Sequence, residues 1–323
     1  MISPVYTGGV SASTTAEIIS VLDGFANGEL PTESTVAVLS DLDRSDIQEL
    51  AGRWPSIVPE LRVGILALAV DLAESQVDKD FQRLAYIAID DPIPGVREAG
   101  FYLLNDLGGR ETARRMADVL EKETNAEVVG AAAEAAAPYV LQHELGQLGE
   151  AGERLETALR KHATASTYPA ETFASLVQAL GYLQEQWVSE LIRDAAYRDE
   201  RQPQLSAIVA MGRSADEEWL DPLEQYLQSS DAEIRQRAVQ ACGEIGSEDA
   251  VDMIAPLLDD EHNDVVAATL AALAEIGGGD ALQHLNSFYD RVPAELEDTL
   301  QEAAEAASNV IHTLSSIEPE DDD

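Results

Sequence analysis

The sequence repeats itself near its C-terminal end, with each matched position recurring 31 places further along the chain. The stretch "DAEIRQRAVQACGEIGSEDAVDMIAPLLDD" at 231–260 is followed by "EHNDVVAATLAALAEIGGGDALQHL". The matching positions are Ile234 with Val265, Ala238 with Thr269, Cys242 with Leu273, Ile245-Gly246 with Ile276-Gly277, and Asp249-Ala250 with Asp280-Ala281. A period of this length indicates a small unit that stacks on copies of itself, because one unit cannot bury its own apolar face.

Each copy carries the pattern of two helices. Apolar residues precede Gly246 at i, i+4, i+7, i+8 and i+11, which is one face of a helix. The glycine suits a left-handed helix cap, and a second apolar face follows at Ala250, Ile254, Leu257 and Leu258. We therefore predict an all-α fold of stacked helix pairs, an α-solenoid. The predicted core positions are Ile234, Cys242, Ile245, Val265, Leu273 and Ile276.

A hydrophobic residue followed by glycine marks the end of the first helix in each copy. The pairs are Leu107-Gly108, Leu180-Gly181, Met211-Gly212, Ile245-Gly246 and Ile276-Gly277. The last four begin at positions 180, 211, 245 and 276, so their successive offsets are 31, 34 and 31. Extended along the chain, this pattern predicts about eight or nine helix pairs and no strand.

The predicted organisation has four parts. Residues 1–13 are a disordered N-terminus, and residues 14–56 are an atypical helical cap in which Trp54 covers the end of the stack. The repeat array covers residues 57–315. Residues 316–323, with the sequence "SIEPEDDD" and no apolar run, form a disordered acidic tail.

Two stretches resemble the signature of HEAT-like repeats. They are "DPIPGVREAGFYLLNDLGG" at 91–109 and "DAEIRQRAVQACGEIG" at 231–246, which share an Asp cap, the Arg of the signature, apolar spacing and a terminal Gly. The copies beginning at 124, 170 and 200 lack the arginine. The repeats are similar to the short HEAT-like repeats of phycobilisome lyases.

The resemblance implies that the second helices line a concave face. It is compatible with two functions. The first is a non-catalytic scaffold or assembly factor that binds another protein along this face, which is favoured because the chain has no catalytic constellation. The alternative is a lyase-like or chaperone-like role in handling a bilin chromophore, although no residue can be assigned to bilin chemistry.

The charge of the chain narrows the choice of partner. The chain has 61 Asp and Glu against 20 Lys and Arg, which gives a net charge of −41. This charge repels nucleic acid and anionic membranes. It therefore argues against a function like that of the DNA-repair glycosylases built on HEAT-like helices, which bind DNA. The longest apolar runs, such as "VGILALAV" at 63–70, are shorter than the roughly 20 residues of a membrane span. No signal peptide is recognisable, and the single cysteine excludes an internal disulfide. We expect a cytoplasmic protein.

Catalytic and metal-binding patterns are not found in the sequence. Helical-repeat hydroxylases that resemble this fold bind two irons through repeated His-Glu dipeptides, and only His143-Glu144 matches here. We expect no metal or cofactor and no enzymatic activity. Cys242 lies on an apolar face and is predicted to be a buried thiol. The acid pairs Asp90-Asp91 and Asp259-Asp260 precede helices and are predicted to be N-caps.

The arginines are unevenly distributed. Six of the 17 fall within one 45-residue stretch, namely Arg193, Arg198, Arg201, Arg213, Arg235 and Arg237. One interpretation is structural: these residues, like the signature residue Arg97, pair with acids of their own or the next repeat. The other is functional: those on second helices form a patch that grips carboxylates of an acidic partner.

The excess of Arg over the three Lys, together with the acidity, has two explanations. A GC-rich genome replaces Lys by Arg, or the protein is adapted to concentrated salt, in which the Debye length falls to about 3 Å at 1 M. If the acidity is an adaptation, screening of the acidic surface should raise the melting temperature steadily from low to molar NaCl. Thermal unfolding followed by circular dichroism tests this, and a flat curve would favour genome composition.

Overall fold

The computed structural model describes residues 15–104, 109–165 and 168–315, with side chains up to residue 309. The predicted disordered ends, 1–13 and 316–323, and the pair Leu107-Gly108 lie outside these residues. All regular structure in the described ranges is helical, and no strand occurs there. Among these residues, no helix is long and apolar enough to cross a membrane.

The α-helices of the described residues number eighteen. They are Thr15–Ala26 (α1), Glu33–Ala37 (α2), Arg44–Arg53 (α3), Pro59–Ser75 (α4), Gln82–Ala88 (α5), Pro94–Tyr102 (α6), Arg110–Leu120 (α7), Ala126–Glu144 (α8), Glu150–Ala163 (α9), Ala170–Leu180 (α10), Gln186–Ala196 (α11), Arg201–Arg213 (α12), Leu220–Leu227 (α13), Ala232–Ile245 (α14), Val251–Ile254 (α15), Asn263–Ile276 (α16), Gly278–Phe288 (α17) and Glu297–Ser315 (α18). Short 3₁₀ turns span Trp54–Ser56, Glu217–Trp219, Glu248–Ala250, Ala255–Asp259 and Ala294–Leu296.

The chain divides into two compact units, one up to His162 and one from Ala163. In the first unit the pairs are α2/α3, α4/α5, α6/α7 and α8/α9, and the first helices pack in sequence, α2 on α4, α4 on α6 and α6 on α8. The additional helix α1 packs on α3. Trp54 is buried, and its indole Nε1 donates a hydrogen bond of 2.9 Å to Asp91, just before α6.

In the second unit the pairs are α10/α11, α12/α13, α14/α15 and α16/α17, followed by α18. The first helices again form a continuous row, α10 on α12, α12 on α14, α14 on α16 and α16 on α18. Each second helix packs mainly on the first helix of the next pair, α11 on α12 and α13 on α14. Both units therefore have the predicted α-solenoid fold, and the described residues contain eight helix pairs, as the repeat pattern predicts.

Small residues bring the first helices of the second unit close together. A Cβ atom on Gly212 would lie 2.7 Å from the Cα atom of Ala241, inside van der Waals contact. The same contact recurs one repeat earlier, between Gly181 and Ala210, and one repeat later, between Gly243 and Ala272. Both the glycines and the alanines thus follow the 31-residue period of the sequence. The repeat interval is therefore the spacing of a helix–helix contact that tolerates no side chain on one partner.

The predicted 34-residue interval between Gly212 and Gly246 is a register error, because these glycines have different roles. Gly212 lies inside α12 at the helix contact, whereas Gly246 ends α14 with φ 72° and ψ 14°, the predicted left-handed cap. The residue 31 positions before Gly246 is Ala215, and it has φ 51°. Ala215 therefore has the same left-handed conformation as the glycine cap, which costs an alanine roughly 1–2 kcal/mol of conformational free energy. The 31-residue period thus holds without interruption from Gly181 to Gly277.

Four of the six residues predicted to lie in the core are buried in the structure. Cys242, Val265, Leu273 and Ile276 are buried, whereas Ile234 and Ile245 are half-buried. The prediction was wrong for these two because the buried face of α14 also includes Arg235, Val239 and Gly243 and is therefore turned away from Ile234 and Ile245.

Gly212→Ala should destabilise the protein by about 1–3 kcal/mol, because the new methyl group overlaps the backbone of α14. Gly52→Ala is the matched control: Gly52 lies in α3 with no atom within 4 Å of its added Cβ. That substitution should stabilise by about 0.5–1 kcal/mol, because alanine favours helix. Urea unfolding at fixed salt measures both, and equal effects of the two variants would contradict the close contact.

Candidate protein-binding surface

The signature residue Arg235 at the start of α14 is tied to the next repeat. Its Nε and Nη2 donate to both oxygens of Asp260 at 2.7 and 2.9 Å, and its Nη1 donates to the carbonyl of Ser229 at 2.7 Å. The side chains of Arg235 and Asp260 are 9% and 6% exposed. Asp260 also accepts the backbone N–H of His262, the N-cap of α16, at 2.9 Å. The hydrogen bonds from Arg235 hold the pKa of Asp260 below its ordinary value.

Arg97 makes the same set of bonds in the first unit. It donates to both oxygens of Glu123 at 2.7 and 3.1 Å, and to the carbonyl of Asp91 at 2.8 Å. Glu123 accepts the backbone N–H of Asn125, the N-cap of α8, at 2.9 Å. Asp91 in turn pairs with Arg62 of α4.

We call each set an arginine clamp, since it joins the starts of two successive first helices. Two of the four acids predicted to be N-caps, Asp91 and Asp260, belong to these clamps, whereas Asp90 and Asp259 pair with Arg115 and Arg291. Asp91 and Asp260 lie two residues before the N-cap positions, which are Ile93 and His262, and accept the N–H groups of those residues. The prediction of N-caps at Asp91 and Asp260 was therefore wrong by two residues, although both acids do satisfy a helix start.

The other arginines of the predicted cluster are spread over several elements. Arg193 lies in the second helix α11, Arg198 follows it, and Arg201 and Arg213 stand at opposite ends of α12, about 18 Å apart along the axis. Arg237 lies in α14. The structure thus places one of the six in a second helix, and a role in partner binding stays a prediction.

Most of these arginines already bind a carboxylate. Arg193 pairs with Glu218 at 2.8 Å, Arg198 with Asp194 at 2.9 Å, and Arg201 with Asp231 at 3.1 Å and with Glu233 at 2.5 Å. Arg213 and Arg237 instead donate to neutral oxygens of Gln178 and Gln240. The positive charge of the arginine cluster as a whole is therefore largely balanced by carboxylates of the same unit.

A groove lies between the second helices α11 and α13. Its volume is about 250 Å³, and Met211 of α12 and Trp219 form buried parts of its lining. The other lining residues are Arg193, Ala196, Tyr197, Asp221, Pro222, Gln225 and Tyr226. The groove exists because consecutive first helices touch through Gly212 and its equivalents, whereas α11 and α13 are set further apart.

Three of the nine residues that line this groove are aromatic. Tyr197 is 88% exposed, whereas Trp219 is 1% exposed and lies 5.0 Å from the guanidinium of Arg193, measured to the ring centre. Tyr226 is half-buried, and its hydroxyl donates to the Ala196 carbonyl across the groove at 3.4 Å. Burial, with a smaller effect of Tyr197, raises the pKa of Tyr226. The sequence analysis missed this site, although three aromatic residues within 30 positions stand out in a chain with 5% aromatics.

The surroundings of the groove are acidic. Residues 185–228 contain ten acidic residues and four arginines, a local net charge of −6. Asp221 lines the groove, and among the described residues no Lys or Arg forms an ion pair with Asp221, Glu217 or Glu224.

A second groove, of about 560 Å³, lies between α7 and α9 in the first unit. Arg110, Arg114 and Arg154 line it, together with Glu111 and Glu150. Arg114 pairs with Glu111 at 2.5 Å, and Arg154 pairs with Asp118 at 2.7 Å. No aromatic residue contributes to its lining, so this groove lacks the aromatic contact surface that the groove between α11 and α13 has.

The remaining candidates have structural contacts. Cys242 is a buried thiol, as predicted, and burial raises its pKa to about 12. His143 lies 3.2 Å from Glu156, and buried His162 contacts the carbonyl of Leu120 at 2.7 Å. No group of three or more His, Cys, Asp or Glu that could hold a metal ion occurs among the residues described.

Comparison with known proteins supports the repeat assignment. Residues 186–274 and 220–308 match the family model described as HEAT repeats. These matches cover α11 to α18, which include the groove. Residues 186–308 are therefore similar to HEAT repeats. No curated protein sequence matches the chain.

Several solved structures are similar in fold. Human deoxyhypusine hydroxylase is 19% identical, over 93% of this chain and 97% of that chain, with a TM-score of 0.35. YibA of E. coli is 14% identical, over 76% and 96%, with a TM-score of 0.41. The karyopherin Kap121p, bound to the extreme C-terminus of the phosphatase Cdc14p, is 15% identical over 88% of this chain and 31% of its own, with a TM-score of 0.41. Similarity at this level does not carry an activity or a partner over to this chain.

Arg235→Ala should destabilise the protein by about 3 kcal/mol, because it leaves the buried carboxylate of Asp260 without its partner. Arg237→Ala, on the exposed side of the same helix, should change stability by less than about 0.5 kcal/mol. The Asp260 pKa is lowered in the fold, so the clamp stabilises above the ordinary value of 3.8 and is lost as pH falls through the lowered value. The difference between wild type and Arg235→Ala should therefore narrow below about pH 4. Urea unfolding at several pH values measures this, and a constant difference would contradict the clamp.

Proposed function

We propose that this chain is a non-catalytic protein-binding scaffold or assembly factor whose partner binds in the groove between α11 and α13. The observation that carries the proposal is Tyr197, an aromatic side chain that is 88% exposed at the edge of a groove containing buried Trp219 and Met211. Tyrosine and tryptophan in a partly buried setting are the residues that most often dominate binding energy at protein interfaces.

The size of the groove supports a protein partner over a small ligand. Its volume of about 250 Å³ is below the roughly 300–1,000 Å³ of typical small-molecule sites. It fits a single apolar side chain of a larger partner, while the neighbouring helix surfaces supply the rest of the contact. The groove lies on the side of the second helices, the side that the sequence analysis predicts to be the binding face.

The repeated construction also supports a binding role. First helices packed through Gly212 and Gly243, and joined through the clamp of Arg235, give the second helices a stable base. A rigid surface loses little conformational entropy when a partner binds, which favours affinity.

Affinity capture with groove variants tests the proposal. The wild-type chain, Tyr197→Ala and the control Tyr289→Ala are immobilised and exposed to an extract of the organism that encodes the protein. Tyr289 is 46% exposed and lies outside the groove. A partner that uses the groove should be retained by wild type and Tyr289→Ala and lost by Tyr197→Ala, at unchanged melting temperature. Equal retention by all three chains would contradict this binding site.

A further inference from the structure

We propose that the groove between α11 and α13 selects a peptide segment in which an apolar anchor residue stands next to lysine or arginine. This inference rests on the proposed function and specifies the partner. It differs from the sequence-based expectation of an acidic partner for the arginine cluster.

The first step of the argument is the state of the arginines. Arg193, the cation that lines the groove, is paired with Glu218 at 2.8 Å and stacked on Trp219 at 5.0 Å. Arg198, which follows α11, is paired with Asp194 at 2.9 Å. An acidic peptide would have to displace an existing carboxylate, so it would exchange one ion pair for another with little net gain.

The second step is the charge that remains. Asp221 faces the groove without an ion pair among the described residues, and residues 185–228 carry a net charge of −6. A cationic side chain of the partner can pair with Asp221 and displaces nothing. The acidic surroundings also attract cationic segments over a longer range at low salt.

The third step is the aromatic rim. The ring of Tyr197 is open to solvent, so a lysine or arginine next to the apolar anchor can lie over its face, where the ring attracts a cation. The half-buried residues Ala196, Pro222 and Tyr226, which also line the groove, meanwhile contact the anchor itself. Apolar anchor and cation are thus recognised by adjacent parts of one groove.

Three fluorescently labelled synthetic peptides test the inference by anisotropy. They share one leucine, which is flanked by lysines in the first, by glutamates in the second and by serines in the third. The lysine peptide should bind at least about tenfold more tightly than the glutamate peptide, with the serine peptide between them. A fourth peptide, with lysines and no apolar residue, should bind more weakly than the first.

Variants of the chain localise the effect. Asp221→Asn should weaken binding of the lysine peptide about threefold, and Asp71→Asn, which removes the same charge at an exposed position of α4, should leave that binding unchanged. Tyr197→Phe should bind like wild type, whereas Tyr197→Ala should not, since the ring and not the hydroxyl is needed.

The outcomes separate the two claims. A glutamate or serine peptide that binds as tightly as the lysine peptide, while still depending on Tyr197, overturns the cationic partner and leaves the groove as a binding site. Equal losses in Asp221→Asn and Asp71→Asn also overturn it, since the attraction would then be non-specific. If none of the peptides changes anisotropy while the affinity capture still shows a partner that depends on Tyr197, the cationic segment is overturned and the groove stays a binding site. If the capture shows no dependence on Tyr197 either, the proposed function fails as well.

Discussion

The contact between successive first helices is the constraint on which the second unit depends. Where Gly212 faces the backbone of Ala241, there is no room for a methyl group, and the same holds one repeat before and after. A sequence can satisfy this contact only if glycine and alanine recur at the same interval as the helices. The 31-residue period is therefore a steric requirement. The second helices are not drawn together in this way, so they leave a groove between α11 and α13. Close packing of the first helices thus creates the candidate site between the second helices.

The arginine clamps explain how a chain with so few cations uses them. Arg97 and Arg235 each hold a carboxylate that also satisfies the start of the next first helix. Such buried pairs set register and orientation, since each fork accepts one geometry. The charges spent on these pairs are not available to an external anion. The charged groups that remain for a partner near the groove are therefore carboxylates without an ion pair, such as Asp221.

The sequence predicts the fold well and the site poorly, for a physical reason. Helix pairs, the cap at Gly246 and buried Cys242 depend on periodicity and local backbone preference, which one sequence displays. Gly212 lies at a contact with the neighbouring helix, whereas Gly246 ends its own helix. In the sequence both appear as a glycine after a hydrophobic residue, so the predicted repeat boundary is displaced by three residues. The groove combines α11, α12 and α13, and Tyr197 and Trp219 come together only when the packing is known. Arg235 falls between these cases: the sequence predicts that it pairs with an acid, but the partner, Asp260, lies 25 residues away and is identified only by the fold.

Salt concentration changes which of the groove's interactions select a partner. At an ionic strength of about 0.1 M the local charge of −6 acts over about 10 Å and favours any cationic chain. In molar salt the Debye length is about 3 Å, so the acids act only on a charge in direct contact. Selectivity then depends on groups that a partner must touch, namely the ring of Tyr197, the carboxylate of Asp221 and the half-buried apolar surface of Ala196 and Pro222. Burial of an apolar anchor is not screened by salt and is strengthened by strongly excluded salts. An aromatic groove within an acidic surface is therefore a form of recognition that remains specific when long-range attraction is lost.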